Sequence, residues 1–168
     1  MIFKVIDNAL PLHQAKEIHD VMMSDEFSWY VTPNITFKDS VVEKHLSYFI
    51  HQFYQEAVPS SQHFHIWYPW FKDILGVENI IRMKGNLYPG QRNLTEHPLH
   101  VDLDYNNMAA IYYVNNNDGY TLIDNQRIES IHNRIVIFDG QSKHASTDCT
   151  NAHARVNINF NFYSKVKQ

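Results

Sequence analysis

The sequence predicts a mainly β fold: an antiparallel double-sheet jelly roll (a double-stranded β-helix) with N-terminal helices packed on the outer face of one sheet. Three observations predict it. Two stretches read as helices from the spacing of their apolar residues, and both precede Pro59. From Glu78 onward, short β-prone segments follow one another, divided by Pro89-Gly90, Asn115 to Gly119, Asp124-Asn125 and Asp139-Gly140. These residue types tolerate tight turns. The closing segment alternates strictly, with Arg155, Asn157, Asn159 and Asn161 on one side and Val156, Ile158, Phe160 and Phe162 on the other. Helices followed by many short strands suit a strand sandwich with helices along one outer face.

In chain order, Ile2 to Ile6 is a short β-prone segment. Pro11 suits a first helical turn, and Leu12, Ala15, Ile18 and Met22 recur at helical spacing through Met23. Pro33 interrupts regular structure. Asp39 or Ser40 can cap a second helix, with Val42, Leu46, Phe49, Ile50, Phe53 and Ala57 as its apolar stripe. His63 to Phe71 is an aromatic cluster flanked by prolines and Gly76, with His63-x-His65 read as packing or pocket wall. Strands are expected at 79–88, 99–104, 108–114, 120–123, 126–130, 134–138 and 154–163. The chain shows no internal repeat, low-complexity tract or linker. One domain over 1–168 follows, with a helical support region at 1–77 and a jelly-roll core at 78–165.

Ten Tyr, ten Phe and three Trp supply a well-packed core. A formal charge of −4 without a Lys/Arg run disfavours non-specific nucleic-acid binding, which needs many phosphate contacts. Arg82, Lys84 and Arg92 near the expected mouth keep a local phosphate contact open. The single Cys149 excludes an internal disulfide and fits a reducing compartment. Met1 to Asp7 does not read as a signal peptide, and no apolar run approaches the roughly 20 residues of a membrane helix. The expectation is a soluble cytoplasmic protein.

The chemistry centres on His100-Val101-Asp102. On a strand at 99–104, His100 and Asp102 share a face. His144 follows the strand at 134–138 and the turn Asp139-Gly140. Two histidines and one carboxylate form the facial set that suits non-haem Fe(II) and leaves positions open. An isolated His-x-Asp is common by chance; His144 and then Arg155, eleven residues further on, give it direction. A planar guanidinium can grip a carboxylate in bidentate fashion, whereas a bland reading leaves Arg155 and the Asn face in solvent. His97 reads as loop geometry, His132 and His153 as solvent-facing, and Cys149 as an unactivated loop thiol.

Together, His100-x-Asp102, His144 and Arg155 on a strand-rich chain resemble the 2-oxoglutarate- and Fe(II)-dependent dioxygenases, and most of all their prolyl 4-hydroxylase-like branch of bacterial and phage type. Asn86 to Gly90 resembles the strand and turn before the metal motif of that branch, and Ile111 to Asn115 its central strand. Gly119 to Leu122 resembles its glycine-rich turn, and Arg155 to Phe160 its closing strand. The resemblance implies an enzyme in which His100, Asp102 and His144 hold Fe(II). Arg155 and Tyr113 would hold the distal carboxylate of 2-oxoglutarate, and Tyr88 and Asn157 are further co-substrate contacts. It implies O2 as oxidant, ascorbate as a stimulant, and hydroxylation of a C–H bond with release of succinate and CO2. The acceptor would be a peptide, protein or small molecule, with peptidyl or free proline or another amino acid foremost. Trp29, Tyr30, Trp67 and Arg92 are candidates to line its seat. Two alternatives stay open: a cupin-like metal or 2-oxoglutarate sensor without turnover, and a nucleic-acid demethylase of the same superfamily.

Overall fold

The computed structural model describes residues 1–32 and 48–164. Its elements in order are β1 (Ile2–Ile6), α1 (Leu12–Met22), β2 (Tyr30–Thr32), β3 (Tyr48–Gln55), β4 (Val58–Pro59), α2 (Gln62–Leu75), β5 (Val77–Pro89), β6 (Met108–Tyr113), β7 (Tyr120–Ile123), β8 (Gln126–Glu129), β9 (Arg134–Asp139), β10 (His144–Ser146) and β11 (Ala154–Ser164). The main sheet runs β1-β9-β6-β11-β5-β3-β2, with β4 beside β3, and a smaller sheet runs β10-β7-β8. Every pairing is antiparallel. The expected jelly roll is therefore present.

Both helices lie against the outer face of the main sheet. Ala15, Ile18 and Met22 of α1 and Phe64, Trp67, Phe71 and Leu75 of α2 share one core with Tyr112, Ile135, Ile137, Val156, Ile158, Phe160 and Phe162. Leu12, placed on the α1 stripe by its spacing, is exposed. A second apolar cluster (Ala109, Ile111, Tyr113, Ile123, Val136 and Phe138) fills the space between the sheets. Even-numbered residues of β11 thus pack under the helices, while Arg155, Asn157, Asn159 and Asn161 are buried on the inner face. The alternation that left two orientations open resolves to the inward one.

Three expectations need correction. The second helix is not formed where the structure describes it: Tyr48–Gln55 is strand β3. The cap at Asp39 or Ser40 and the stripe residues Val42 and Leu46 lie outside the described residues. A short aromatic run fits either period, and pairing of Phe49 with Leu87 and Ile50 with Asn86 on β5 decides it. Conversely, the aromatic cluster is a helix. Ser61 caps α2 by accepting from the His63 N–H, and Gly76 ends it at φ 63 in the left-handed region that favours glycine. Pro69 sits on the exposed side, where a carbonyl deprived of its partner meets water. Finally, 99–104 is an irregular loop whose backbone is bridged to a strand at His100, opposite His144. Residues 1–77 supply both helices and also β1 to β4. Among the described residues no helix is long and apolar enough to cross a membrane.

Candidate metal centre

Strand alternation does not bring His100 and Asp102 together, because they lie on a loop. The loop is fastened to β10 instead. His100 and His144 exchange two backbone hydrogen bonds of 2.9 Å each, and their rings lie 4.6 Å apart. One ligand atom from each of His100, Asp102 and His144 falls within 4.8 Å of the others. Both imidazoles are oriented from behind. Nδ1 of His100 lies 3.1 Å from the Pro98 carbonyl, and Nδ1 of His144 lies 3.1 Å from the Ser142 carbonyl. A carbonyl only accepts, so each Nδ1 carries the proton and each Nε2 offers a lone pair, the arrangement that metal-binding histidines use. Nε2 of His144 is buried without a hydrogen-bond partner. Burial and the neighbouring His144 lower the pKa of His100, which favours the neutral ligand form. These donors fit a divalent ion of the non-haem iron type.

Asp102 is held by residues of the inner face. Its Oδ1 forms a 2.8 Å ion pair with Nη2 of Arg82. Its Oδ2 accepts from the Asn159 amide at 3.0 Å and the Asn161 amide at 3.4 Å, and stands 3.9 Å from Nε2 of His144. Nε of Arg82 donates to Oδ1 of Asn161 at 3.0 Å, which locks the guanidinium. Burial pushes the Asp102 carboxyl up. Arg82, His144, Lys84 and His100 outweigh it and hold the group well below the usual carboxylate range. Asp102 is an anion throughout the physiological range.

Further along the same face lies Arg155, fully buried. Its Nε donates to Oγ of Ser130 at 2.8 Å, Nη2 to Oγ1 of Thr121 at 2.8 Å and Nη1 to the Thr147 carbonyl at 3.3 Å. Tyr113 donates its hydroxyl to the same Thr121 Oγ1 at 2.9 Å. The rings of Tyr88 and Tyr113 stand 5.4 and 5.8 Å from the guanidinium carbon. Among the described residues no carboxylate pairs with Arg155. A buried cation with neutral partners alone is costly, so the site is short of one negative charge. Tyr88 also packs on Tyr48 and His97. Asn157 accepts from the Asn86 amide at 2.9 Å. Tyr88, Tyr113, Asn157 and Arg155 thus lie on the inner face of the main sheet, which Asp102 of the His-Asp-His cluster meets at Asn159 and Asn161.

Other expected residues fall elsewhere. Trp67 is fully buried in the helix-side core, and Trp29 packs against the outer side of Gly85, so neither lines the inner face. Tyr30 and Arg92 are exposed. Arg82 points at Asp102 rather than offering a phosphate contact on the surface. His97 is buried and shares a 2.8 Å hydrogen bond with Ser146. His63 stacks on Trp67, as a packing residue would. His132 is only half-exposed, with its ring against His19, whereas His153 is exposed. Cys149 is buried in the loop before β11. Thr121, Ser130, Arg82, Asn159 and Asn161 were missed as partners of the site. For three of them a signal existed. Arg82, Lys84, Asn86 and Tyr88 alternate along β5 just as Asn161, Asn159, Asn157 and Arg155 do along β11, and the register pairs them in that order.

By sequence, no family model and no curated protein matches the chain. Its fold is similar to those of solved 2-oxoglutarate-Fe(II) oxygenases, prolyl hydroxylases among them. A Pseudomonas putida prolyl-4-hydroxylase superposes with a TM-score of 0.69 at 13% identity, over 96% of this chain and 92% of its own. A Trichoplax adhaerens prolyl hydroxylase, solved with a hypoxia-inducible-factor peptide, gives 0.67 at 13% identity over 96% and 83%. A Burkholderia pseudomallei oxidoreductase of the 2-oxoglutarate-Fe(II) oxygenase family gives 0.64 at 10% identity over 95% and 82%.

Proposed function

We propose that the protein is an Fe(II)- and 2-oxoglutarate-dependent dioxygenase that hydroxylates a C–H bond of a peptide, protein or small-molecule acceptor. The observation that carries this reading is one shared interior between the inner face of the main sheet and the loop and β10 strand that meet it. It holds three convergent donors, one of them a buried and unpartnered imidazole nitrogen, and a buried guanidinium without a counter-anion.

Bound Fe(II), with 2-oxoglutarate and O2, supplies the oxidising power: the keto acid becomes succinate and CO2, and one oxygen atom enters the acceptor. The protein's part is to hold and exclude. His100 and His144 would hold the ion through Nε2 and Asp102 through Oδ2, a set of three protein donors of the kind that suits non-haem iron. Arg82, Asn159 and Asn161 keep the carboxylate from turning away. Arg155 supplies the positive charge for the distal carboxylate of 2-oxoglutarate, and Thr121 and Tyr113 supply hydroxyls beside it. Tyr88 covers the guanidinium with its ring, which keeps water out and strengthens that ion pair. Asn157, fixed by Asn86, lies between the two ends.

The test is succinate formation from 2-oxoglutarate with Fe(II) and ascorbate, first without any acceptor. Wild type should produce succinate, and His100→Ala should lose at least about a hundredfold, on the scale of removing a metal-site group. Arg155→Met should raise KM for 2-oxoglutarate about tenfold to a hundredfold, the worth of one charged hydrogen-bond set. Full turnover in both variants, with the fold intact, ends the proposal. A mass gain of one oxygen atom, screened across peptides, amino acids and oligonucleotides, identifies the acceptor class.

A further inference from the structure

The inner face carries a second cation, Lys84, that the proposed chemistry does not use. Lys84 stands directly opposite Asn159, whose amide bonds Asp102, so it is level with the metal end of the site. Its ammonium lies 5.8 Å from the centre of the Tyr48 ring, and Tyr48 stacks on Tyr88. Among the described residues it makes no hydrogen bond and no ion pair. Arg82 is matched by Asp102; Lys84 has no such partner. Iron(II) with a 2-oxoglutarate dianion would cancel, as Arg82 and Asp102 do. The charges of Arg155 and Lys84 together would then exceed the anions of the site, and the far carboxylate of 2-oxoglutarate would reach only Arg155. Burial and the Arg82 charge lower the Lys84 pKa to about 8, against the upward pull of the Asp102 carboxylate, which forms no ion pair with it.

The two lone cations do not share one anion. Arg155 and Asn159 are four residues apart on β11, so Lys84 stands about 13 Å further along the sheet than Arg155. We propose that Lys84 is a specificity residue that receives a carboxylate of the substrate itself, and that the acceptor is a small free acid, an amino acid above all. The proposal rests on the oxygenase reading of the site. The place of the ammonium selects the class. It is partly buried on the inner face of the sheet, at the strand position whose neighbour Asn159 bonds Asp102. An internal residue of a peptide has no carboxylate of its own main chain to offer there.

The experiment measures succinate formation by wild type with Fe(II), 2-oxoglutarate and ascorbate. The proteinogenic amino acids are added singly, each as free acid and as primary amide, with glycerol 3-phosphate as a phosphate arm. At least one free acid should stimulate succinate formation at least tenfold over the acceptor-free rate and gain an oxygen atom, and its amide should be at least tenfold poorer. Lys84→Met, checked for folding by thermal melting, should raise KM for that acid about tenfold to a hundredfold, and Lys84→Arg should recover part of the loss. Equal stimulation by acid and amide, stimulation by none of the acids, or stimulation by the phosphate alone overturns the proposal. So does a Lys84→Met protein whose KM rises for 2-oxoglutarate instead. Absence of acceptor-free succinate in wild type would count against the oxygenase reading, which separates the two failures.

Discussion

At the scale of single residues, the site works because each polar group has one role left open. Carbonyls occupy Nδ1 of His100 and His144, so only Nε2 can face an ion. Oδ2 of Asp102, which accepts from Asn159 and Asn161, is the oxygen that stands beside His144, while Arg82 occupies Oδ1. That ion pair is buried, and removing one member strands the other charge. Arg82→Met should therefore destabilise the metal-free protein by about 3 kcal/mol in urea unfolding. Saturating Mn(II) should restore part of this, because the ion supplies the missing positive charge. His97 gives a pH prediction. Burial, with Arg155 and His100 nearby, depresses its pKa to about 4. A histidine depressed in the folded state contributes stability that is fully present above its unfolded value of about 6.5, and that stability is lost as pH falls towards the folded pKa. Metal-free protein should weaken between pH 6.5 and 4 by up to about 3 kcal/mol from this group, and His97→Gln should flatten the slope of stability against pH. A slope unchanged by the substitution would refute the assignment.

At the scale of elements, α2 is the clearest case of a segment whose packing outweighs its local signals. Phe64, Trp67, Phe71 and Leu75 line up at three- and four-residue spacing under a good cap, despite Pro69. Trp67→Ala should cost about 3–5 kcal/mol in unfolding experiments, and Ser61→Ala about 1 kcal/mol. The turn before β7 is tied to the site. A Cβ on Gly119 would stand 2.4 Å from the Asp148 carbonyl oxygen and 2.6 Å from Cδ of Arg155. Gly119→Ala should thus push Arg155 off its partners and raise KM for 2-oxoglutarate, with a much smaller change in melting temperature than Trp67→Ala. In β11 and β5 the inner faces read as a cross-strand ladder of polar residues. The alternation of β11 was legible in the sequence; the matching ladder on β5 became visible only once the register was known.

At the scale of the molecule, the main sheet joins the ends of the described chain, since β1 pairs with β9 and β11 lies between β5 and β6. The candidate metal cluster spans the short strand β10 of the smaller sheet and a loop whose Asp102 bonds to β5 and β11, so a bound ion would tie the two sheets together. At a hundred times its Kd, a ligand stabilises by about 2.7 kcal/mol. Mn(II) with 2-oxoglutarate should then raise the melting temperature by roughly 5–10 °C for a chain of this size, and His144→Ala should abolish the shift. No shift in wild type would mean that the cluster does not hold an ion.

The types of the candidate donors, the order His100, Asp102, His144, Arg155 and the two-residue alternation of β11 were written in local pattern, whereas the face of β11 that turns inward was not. A two-residue period and a set of ligand types need no knowledge of distant residues. What tertiary structure alone decided was which pairing a short aromatic run adopts, as in β3, and how a loop carrying His100 and Asp102 is fastened to β10. It also decided which cations are answered by an anion: Arg82 is, whereas Arg155 and Lys84 are not. Those outcomes depend on strand register and burial between residues far apart in the chain, and periodicity carries no information about either.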